Sequence, residues 1–275
     1  MLLSDIRWYF PDTVKEAVKL ITKPGIILHA GGTKILEPQP RSSIKGLVDI
    51  SGLGLNYIRP HGNTIHIGSG ATFADVAEFS RKRKRIAMLG TSLSHAASTP
   101  LRNRITIGGS IKDFPMWSNL YAPLLALDAR VAIVGERSGV YPLEEYAGSS
   151  LIKSKHLIVE VRVTEKKGVI YKAAAFHVVR FEYPLFSLAA AFTMKGIVVR
   201  DARIFITGVK KRFSRLESVE IFLTGKPLIE ETIDEATRRA SLIFVPDFKF
   251  SAEYKERTAK VYLNDLLHDI RRMNK

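Results

Sequence analysis

Two glycine pairs constrain this chain more than any other feature. Gly31-Gly32 follows the apolar run Ile26-Ile27-Leu28-His29-Ala30, and Gly108-Gly109 follows Ile105-Thr106-Ile107. Each pair reads as a tight turn behind a short buried strand. A Gly-Gly turn is most often only a turn. Paired glycines also lack Cβ atoms, which lets backbone N–H groups come close to an anion. A concave run of such groups is a phosphate nest, and two nests could hold the two phosphates of a dinucleotide between them. Neither pair has the G-x-G-x-x-G spacing, and no G-x-x-x-x-G-K-(S/T) run occurs, which argues against a P-loop nucleotide site.

The text around the glycines alternates between helix and strand. Asp12 is positioned to cap a helix whose apolar face is Val14, Ala17, Val18 and Ile21, and Pro24-Gly25 stops it. Leu47 to Ile50 and Thr64 to Gly68 read as strands. Thr72 and Asp75 resemble a capping box with Asp in place of Glu, ahead of a helical face of Phe73, Val76, Ala77 and Ser80. Residues 89–100, rich in Ser, Thr, Ala and Gly, read as loop. Leu120 to Leu127 reads as helix, and Val131 to Val134 and His156 to Val163 as strands. The apolar run 185–194 suits either state, and two strand-like segments follow within 196–206. Long helical patterns run from about Ile229 to Ile243 and from about Glu253 to Met273.

The bulk properties exclude several classes. The 275 residues are 46% hydrophobic and 25% charged, which suits packed globular subdomains and argues against disorder. No apolar stretch is long enough for a membrane span, and the first residues lack the basic start and apolar core of a signal peptide; a cytoplasmic protein is expected. With no cysteine, the chain holds no disulfide, thiol nucleophile or cysteine-ligated iron–sulfur cluster of its own. The seven histidines show no metal-ligand spacing, and neither a Ser-His-Asp arrangement nor an acid pair stands out. The net charge of +15 favours anionic partners. Its one dense run, Arg81 to Arg85, is either a solvated helix end or a docking patch for an acidic partner. Elsewhere the basic residues are spread, which speaks against nucleic acid.

Seven segments carry a resemblance. Residues 29–36 (HAGGTKIL) are similar to a flavin motif written A-G-G-T-(D/S)-L-L, and residues 101–110 (LRNRITIGGS) to I-R-N-x-A-T-I-G-G-N. Segments 47–54, 64–76 and 124–131 match the strands and helices that accompany those motifs, and 183–209 and 251–255 match the domain that follows them. In this order they resemble the FAD-binding medium subunit of the molybdenum hydroxylases, the family of carbon monoxide dehydrogenase and xanthine dehydrogenase.

The resemblance implies an α+β fold. An FAD-binding domain of the vanillyl-alcohol-oxidase (PCMH) type would comprise two α+β subdomains, residues 1–56 and 57–166. A C-terminal antiparallel sheet with helices would occupy 167–275. It implies FAD between Leu28, His29, Ala30, Gly31, Gly32, Thr33, Lys34 and Ile35 on one side and Thr106, Ile107, Gly108, Gly109 and Ser110 on the other. Asn119, Leu157 and His177 complete the expected cofactor contacts. It also implies a small partner subunit with 2Fe-2S clusters and a large one with the molybdenum cofactor. Electrons would pass through FAD to an external acceptor, with no acid–base catalyst in this chain.

The sequence departs from the family pattern at several of these places. Lys34 replaces Asp or Ser, and could pair with a phosphate or point to solvent. Ser110 replaces Asn, Asn119 takes the position of an Asp near the flavin, and His177 that of a Lys. Trp117 is new, and could stack near the ring or fill core. The altered stretch 113–119 motivates a second reading, a flavin-poor or flavin-free assembly subunit of the same fold.

Overall fold

The computed structural model describes residues 6–35, 44–115, 118–179 and 182–274; Trp117 lies outside the described residues. The chain forms two compact units, each gathered from separate stretches. The first comprises residues 1–76, 98–113 and 128–164, the second 77–97, 114–127 and 165–275.

The first unit opens with β1 (Arg7–Tyr9), α1 (Val14–Ile21), β2 (Ile26–His29) and β3 (Gly46–Asp49). The three strands are parallel, in the order β1-β3-β2. Thr13, not Asp12, caps α1. Its hydroxyl, directly before the first helical residue, accepts from the Glu16 N–H at 3.2 Å, while the Asp12 N–H donates to the Glu16 carboxylate at 3.0 Å. Ala17 and Ile21 on α1 join Ile26, Val48, Ile50, Leu55 and Leu157 in one core. Lys155 donates to the Ile21 and Thr22 carbonyls at 3.0 and 3.1 Å, meeting part of the acceptor demand of that helix end.

The chain continues through β4 (Ile58–His61), β5 (Thr64–Gly68), α2 (Phe73–Arg81), α3 (Ala87–Ser94), α4 (Thr99–Arg102), α5 (Ile107–Asp113) and α6 (Tyr121–Ala126). It then forms β6 (Arg130–Gly135), β7 (Gly139–Pro142), α7 (Leu143–Gly148) and β8 (His156–Thr164). The antiparallel sheet β4-β5-β8-β6-β7 completes the first unit. The expected capping box forms at α2. The Asp75 N–H donates to the Thr72 hydroxyl at 3.2 Å, and the Thr72 N–H donates to the Asp75 carboxylate at 2.9 Å.

Two expectations are corrected in this region. Residues 89–100, expected as loop, hold most of α3 and the first half of α4. Burial of Met88, Leu89 and Leu93 stabilises α3 against the weak helix propensity of its small and hydroxylated residues. No strand precedes the second glycine pair. Thr106 makes a single bridge to Thr72, and Ile107 already begins α5, so Gly108 and Gly109 lie in a first helical turn.

The second unit is built on β9 (Val169–Phe176), β10 (Phe186–Lys195), β11 (Val198–Val209) and β12 (Arg212–Arg215), an antiparallel sheet in the order β12-β11-β10-β9. Helices α8 (Glu217–Leu223), α9 (Glu230–Arg239) and α10 (Ala252–Met273) follow. Phe186, Leu188, Ala190 and Phe192 of β10 pack into a core with Ile204, Ile206, Val219, Ile233, Leu263 and Leu267. Each large apolar side chain buried there contributes about 1.5–3 kcal/mol. Ser187, Ala189 and Ala191 alternate with them and are buried too, because α6 packs against β10 and β11. A strand covered on both faces loses its two-residue period, which is why 185–194 suited either state. The two segments expected in 196–206 are one strand, β11. The helix expected to reach Ile243 stops at Arg239, and burial then alternates through Ala240, Leu242 and Phe244 with Ser241, Ile243 and Val245 exposed. That is the period of extended chain, and Ala240 happens to continue both patterns.

Candidate functional site

The first glycine turn leaves β2 at His29, whose carbonyl accepts from the Ile50 N–H at 3.0 Å. This bond fixes the turn to the end of β3. Gly31 lies against Arg104: the Arg104 Nε donates to the Gly31 carbonyl at 3.1 Å, and a Cβ on Gly31 would stand 1.6 Å from the Arg104 carbonyl oxygen. Gly32 has φ +72°, in the left-handed region. A left-handed residue among ordinary ones is the backbone geometry of a nest. The N–H groups of Gly31, Gly32 and Thr33 have no acceptor among the described residues, and all three residues are half-buried.

The second glycine turn is different. Ile107 donates to the Ala71 carbonyl at 2.9 Å and Gly108 to the Ser69 carbonyl at 2.8 Å. Gly109 donates to the Thr106 hydroxyl at 3.3 Å and Ser110 to the Thr106 carbonyl at 3.0 Å. All four N–H groups are committed inside the protein, so this turn is not a second open nest. Its glycines serve packing: a Cβ on Gly108 would lie 2.5 Å from the Ser69 Cβ. The Ser69 hydroxyl beneath it is buried and has no hydrogen-bond partner among the described residues.

The two turns are brought together. Arg104, just ahead of α5, holds Gly31, and Lys34 reaches the Asp113 carboxylate at the end of α5, 3.6 Å away. Lys34 therefore has an acidic partner, an outcome neither open alternative contained. The exposed Arg104 guanidinium also lies beside Gly32. Free N–H groups and the Arg104 guanidinium at one half-buried turn form a donor set for an anion of pyrophosphate type, and the absence of side chains at Gly31 and Gly32 leaves the backbone accessible. The residues present thus fit the phosphate end of FAD.

The remaining expected contacts lie elsewhere in the fold. Leu157 on β8 is fully buried in the core beneath β3, so its side chain contributes packing. Asn119 and His177 belong to the second unit. There the Asn119 amide donates to His177 Nε2 at 3.4 Å and accepts from the Ser187 hydroxyl at 3.3 Å. Burial pushes the His177 imidazole below its usual range, His95 nearby adds to this, and the Ala175 carbonyl opposes it. Neutral His177 is then the acceptor from Asn119. Both residues line a cavity of about 220 Å³ with Thr91, Ser92, His95 and Ser187. Sequence reasoning missed Arg104, Ser69, His95 and Ser187. Of these only Arg104, two residues ahead of Thr106 within the matching motif, carried a signal that could have been read.

The chain's similarities point the same way as its geometry. The family model described as FAD binding domain in molybdopterin dehydrogenase matches residues 4–165, and that of the CO dehydrogenase flavoprotein C-terminal domain matches residues 172–270. The glyceraldehyde dehydrogenase medium chain of Sulfolobus acidocaldarius is 26% identical, over 91% of this chain and 92% of that one. The carbon monoxide dehydrogenase medium chain of Hydrogenophaga pseudoflava is also 26% identical, over 93% of each. In fold, the chain is similar to quinoline 2-oxidoreductase from Pseudomonas putida 86, with a TM-score of 0.90 over 100% of this chain and 99% of that one, at 20% identity.

Proposed function

Because the chain belongs to the family of FAD-binding domains of molybdopterin dehydrogenases and carries the matching flavoprotein C-terminal domain, we propose that it is the electron-outlet subunit of a molybdenum hydroxylase. A large partner subunit with the molybdenum cofactor oxidises the substrate. A small partner subunit with 2Fe-2S clusters delivers the electrons, which leave through FAD on this chain to an external acceptor. When bound, FAD supplies redox chemistry that no side chain here possesses.

The protein's part is binding and electrostatics. The N–H groups of Gly31, Gly32 and Thr33 would hold pyrophosphate oxygens, with the Arg104 guanidinium offsetting their charge. Thr106 to Ser110 would close the opposite side as a packed helix start, the Thr106 hydroxyl keeping its proton to donate. Leu28 to Ala30 and Ile35 frame the turn, and Leu157 supports it from the core. Asn119 and His177 are the proposed contacts of the flavin ring; both are uncharged at neutral pH. The observation that carries this reading is the open N–H set at residues 31–33 beside the Arg104 guanidinium.

A second reading has its own observation. With the N–H groups of residues 107–110 consumed internally, one nest rather than two faces the cofactor, and an assembly subunit that binds flavin poorly would look the same. An absorbance spectrum of the purified chain, before and after addition of FAD, separates the two. Near-ultraviolet and blue bands shifted from those of free FAD support the electron-outlet role. A colourless chain that takes up no FAD, alone or with its partner subunits, gives the assembly role precedence.

A further inference from the structure

The run Arg81 to Arg85 closes α2, as a solvated helix end would, but the structure does more with it than leave it in water. Arg83 turns back, its guanidinium 4.9 Å above the Phe79 ring and 3.3 Å from the Glu165 carboxylate. Glu165 opens the turn that leads into β9, and the next two residues are Lys166 and Lys167, both exposed. The single ion pair therefore draws a second basic segment against the first. Lys82 forms a well-exposed pair with Glu78, a contact of little energetic weight. Arg81, Lys84, Arg85 and Lys167 are exposed and have no carboxylate partner among the described residues.

Two basic segments, Arg81 to Arg85 and Lys166-Lys167, are thus joined through the Arg83–Glu165 pair, and most of their cations are exposed. Concentrating like charge works against the folded state, so a face held this way by a specific ion pair calls for an opposite surface. Its chemistry discriminates among anionic occupants. The cations ride on long exposed side chains rather than lining a cavity, which suits a broad surface and not a small phosphate ligand. Phe79 is covered by Arg83, so that ring offers no platform for stacking bases. An acidic protein face meets these conditions, and rim charges of this kind steer encounter and fix register.

We propose that Arg81, Lys84, Arg85 and Lys167, set in place by the Arg83–Glu165 pair, form the docking surface for an acidic face of the small iron–sulfur partner subunit. The proposal rests on the electron-outlet reading for the identity of that partner.

The test uses the full chain, co-expressed and then titrated with its small subunit. One variant reverses Arg81, Lys84, Arg85 and Lys167 to Glu; a control reverses four exposed lysines elsewhere, Lys15, Lys19, Lys23 and Lys211. The patch variant is expected to weaken association at least about ten-fold beyond the control, and to flatten the dependence of Kd on salt. Thermal midpoint and flavin absorbance stay those of the parent. Equal losses in both variants, no loss in either, or no association of the parent with the small subunit would overturn the proposal. So would a patch variant that keeps subunit affinity but loses binding to a DNA oligonucleotide, since that assigns the face to nucleic acid. The flavin spectrum keeps the two readings apart. Patch-dependent docking of a colourless chain sustains the surface while the electron-outlet role fails.

Discussion

A methyl group on Gly31 would meet the carbonyl oxygen of Arg104 at 1.6 Å, and the opposing atom is backbone, so no rotamer change can relieve the clash. Gly32 is under a different constraint. Its φ of +72° costs an L-residue roughly 1–2 kcal/mol, and the nearest obstacle is the His29 imidazole, a side chain able to give way. The two substitutions are therefore expected to differ in kind. Gly31→Ala should push the turn off Arg104, open the N–H set of residues 31–33, and abolish flavin uptake. Gly32→Ala should lower affinity in a graded way, with the turn still seated. Titration of each purified variant with FAD, followed by flavin fluorescence, measures both. Equal affinities for Gly31→Ala and the parent would remove this turn from the cofactor site.

Between residue and fold stands α5, a helix of seven residues held at both ends. Its start rests on Ala71 and Ser69; its end is tied down by Lys112, which donates to the Ile152 and Ser154 carbonyls at 2.6 and 2.9 Å. Next to that ammonium His156 is buried, 2.9 Å from both the Ser154 and the Tyr146 hydroxyls. Burial, with Lys112 second, pushes His156 down to about 4. The folded state thus keeps a neutral imidazole where the unfolded chain takes a proton at the ordinary value near 6.5. The His156 contribution to stability is complete above that value. It falls away as pH drops from 6.5 to 4, by on the order of 2–3 kcal/mol. Urea midpoints measured through this window should decline in the parent and decline less in His156→Gln, which cannot titrate; identical slopes would show that His156 does not carry the effect. None of this was legible in the sequence. The α2 capping box and the long α10 were, because cap spacing and a one-sided apolar stripe are local signals. The strand predicted ahead of Gly108 shrank to a single bridge at Thr106, with α5 starting at Ile107, whose N–H and that of Gly108 are taken by the Ala71 and Ser69 carbonyls. The Gly-Gly text marked close backbone approach correctly at both turns, but which of them kept free N–H groups depends on partners distant in sequence.

At the scale of the molecule, the division into two units separates what the cofactor should stabilise from what it should leave unchanged. Both glycine turns lie in the first unit, with their supports Arg104, Ser69 and Asp113. The second unit has its own core on β10 and β11 and needs no ligand to bury it. FAD at a hundred times its Kd should therefore raise the stability of the first unit by about 2.7 kcal/mol. Hydrogen exchange resolves where that gain falls. Peptides covering 26–35 and 98–113 are expected to gain protection on FAD addition, while peptides from α8 and α10 keep their parent rates. Protection that extends to the peptides holding Asn119 and His177 would add those residues to the cofactor's contacts; its absence would confine the site to the first unit. Because the chain carries +15 and the phosphates are anionic, the gain should also shrink as salt is raised. Protection spread evenly over both units, or unchanged by salt, would mean that FAD is not held through the phosphate contacts that the Gly31-Gly32 turn offers.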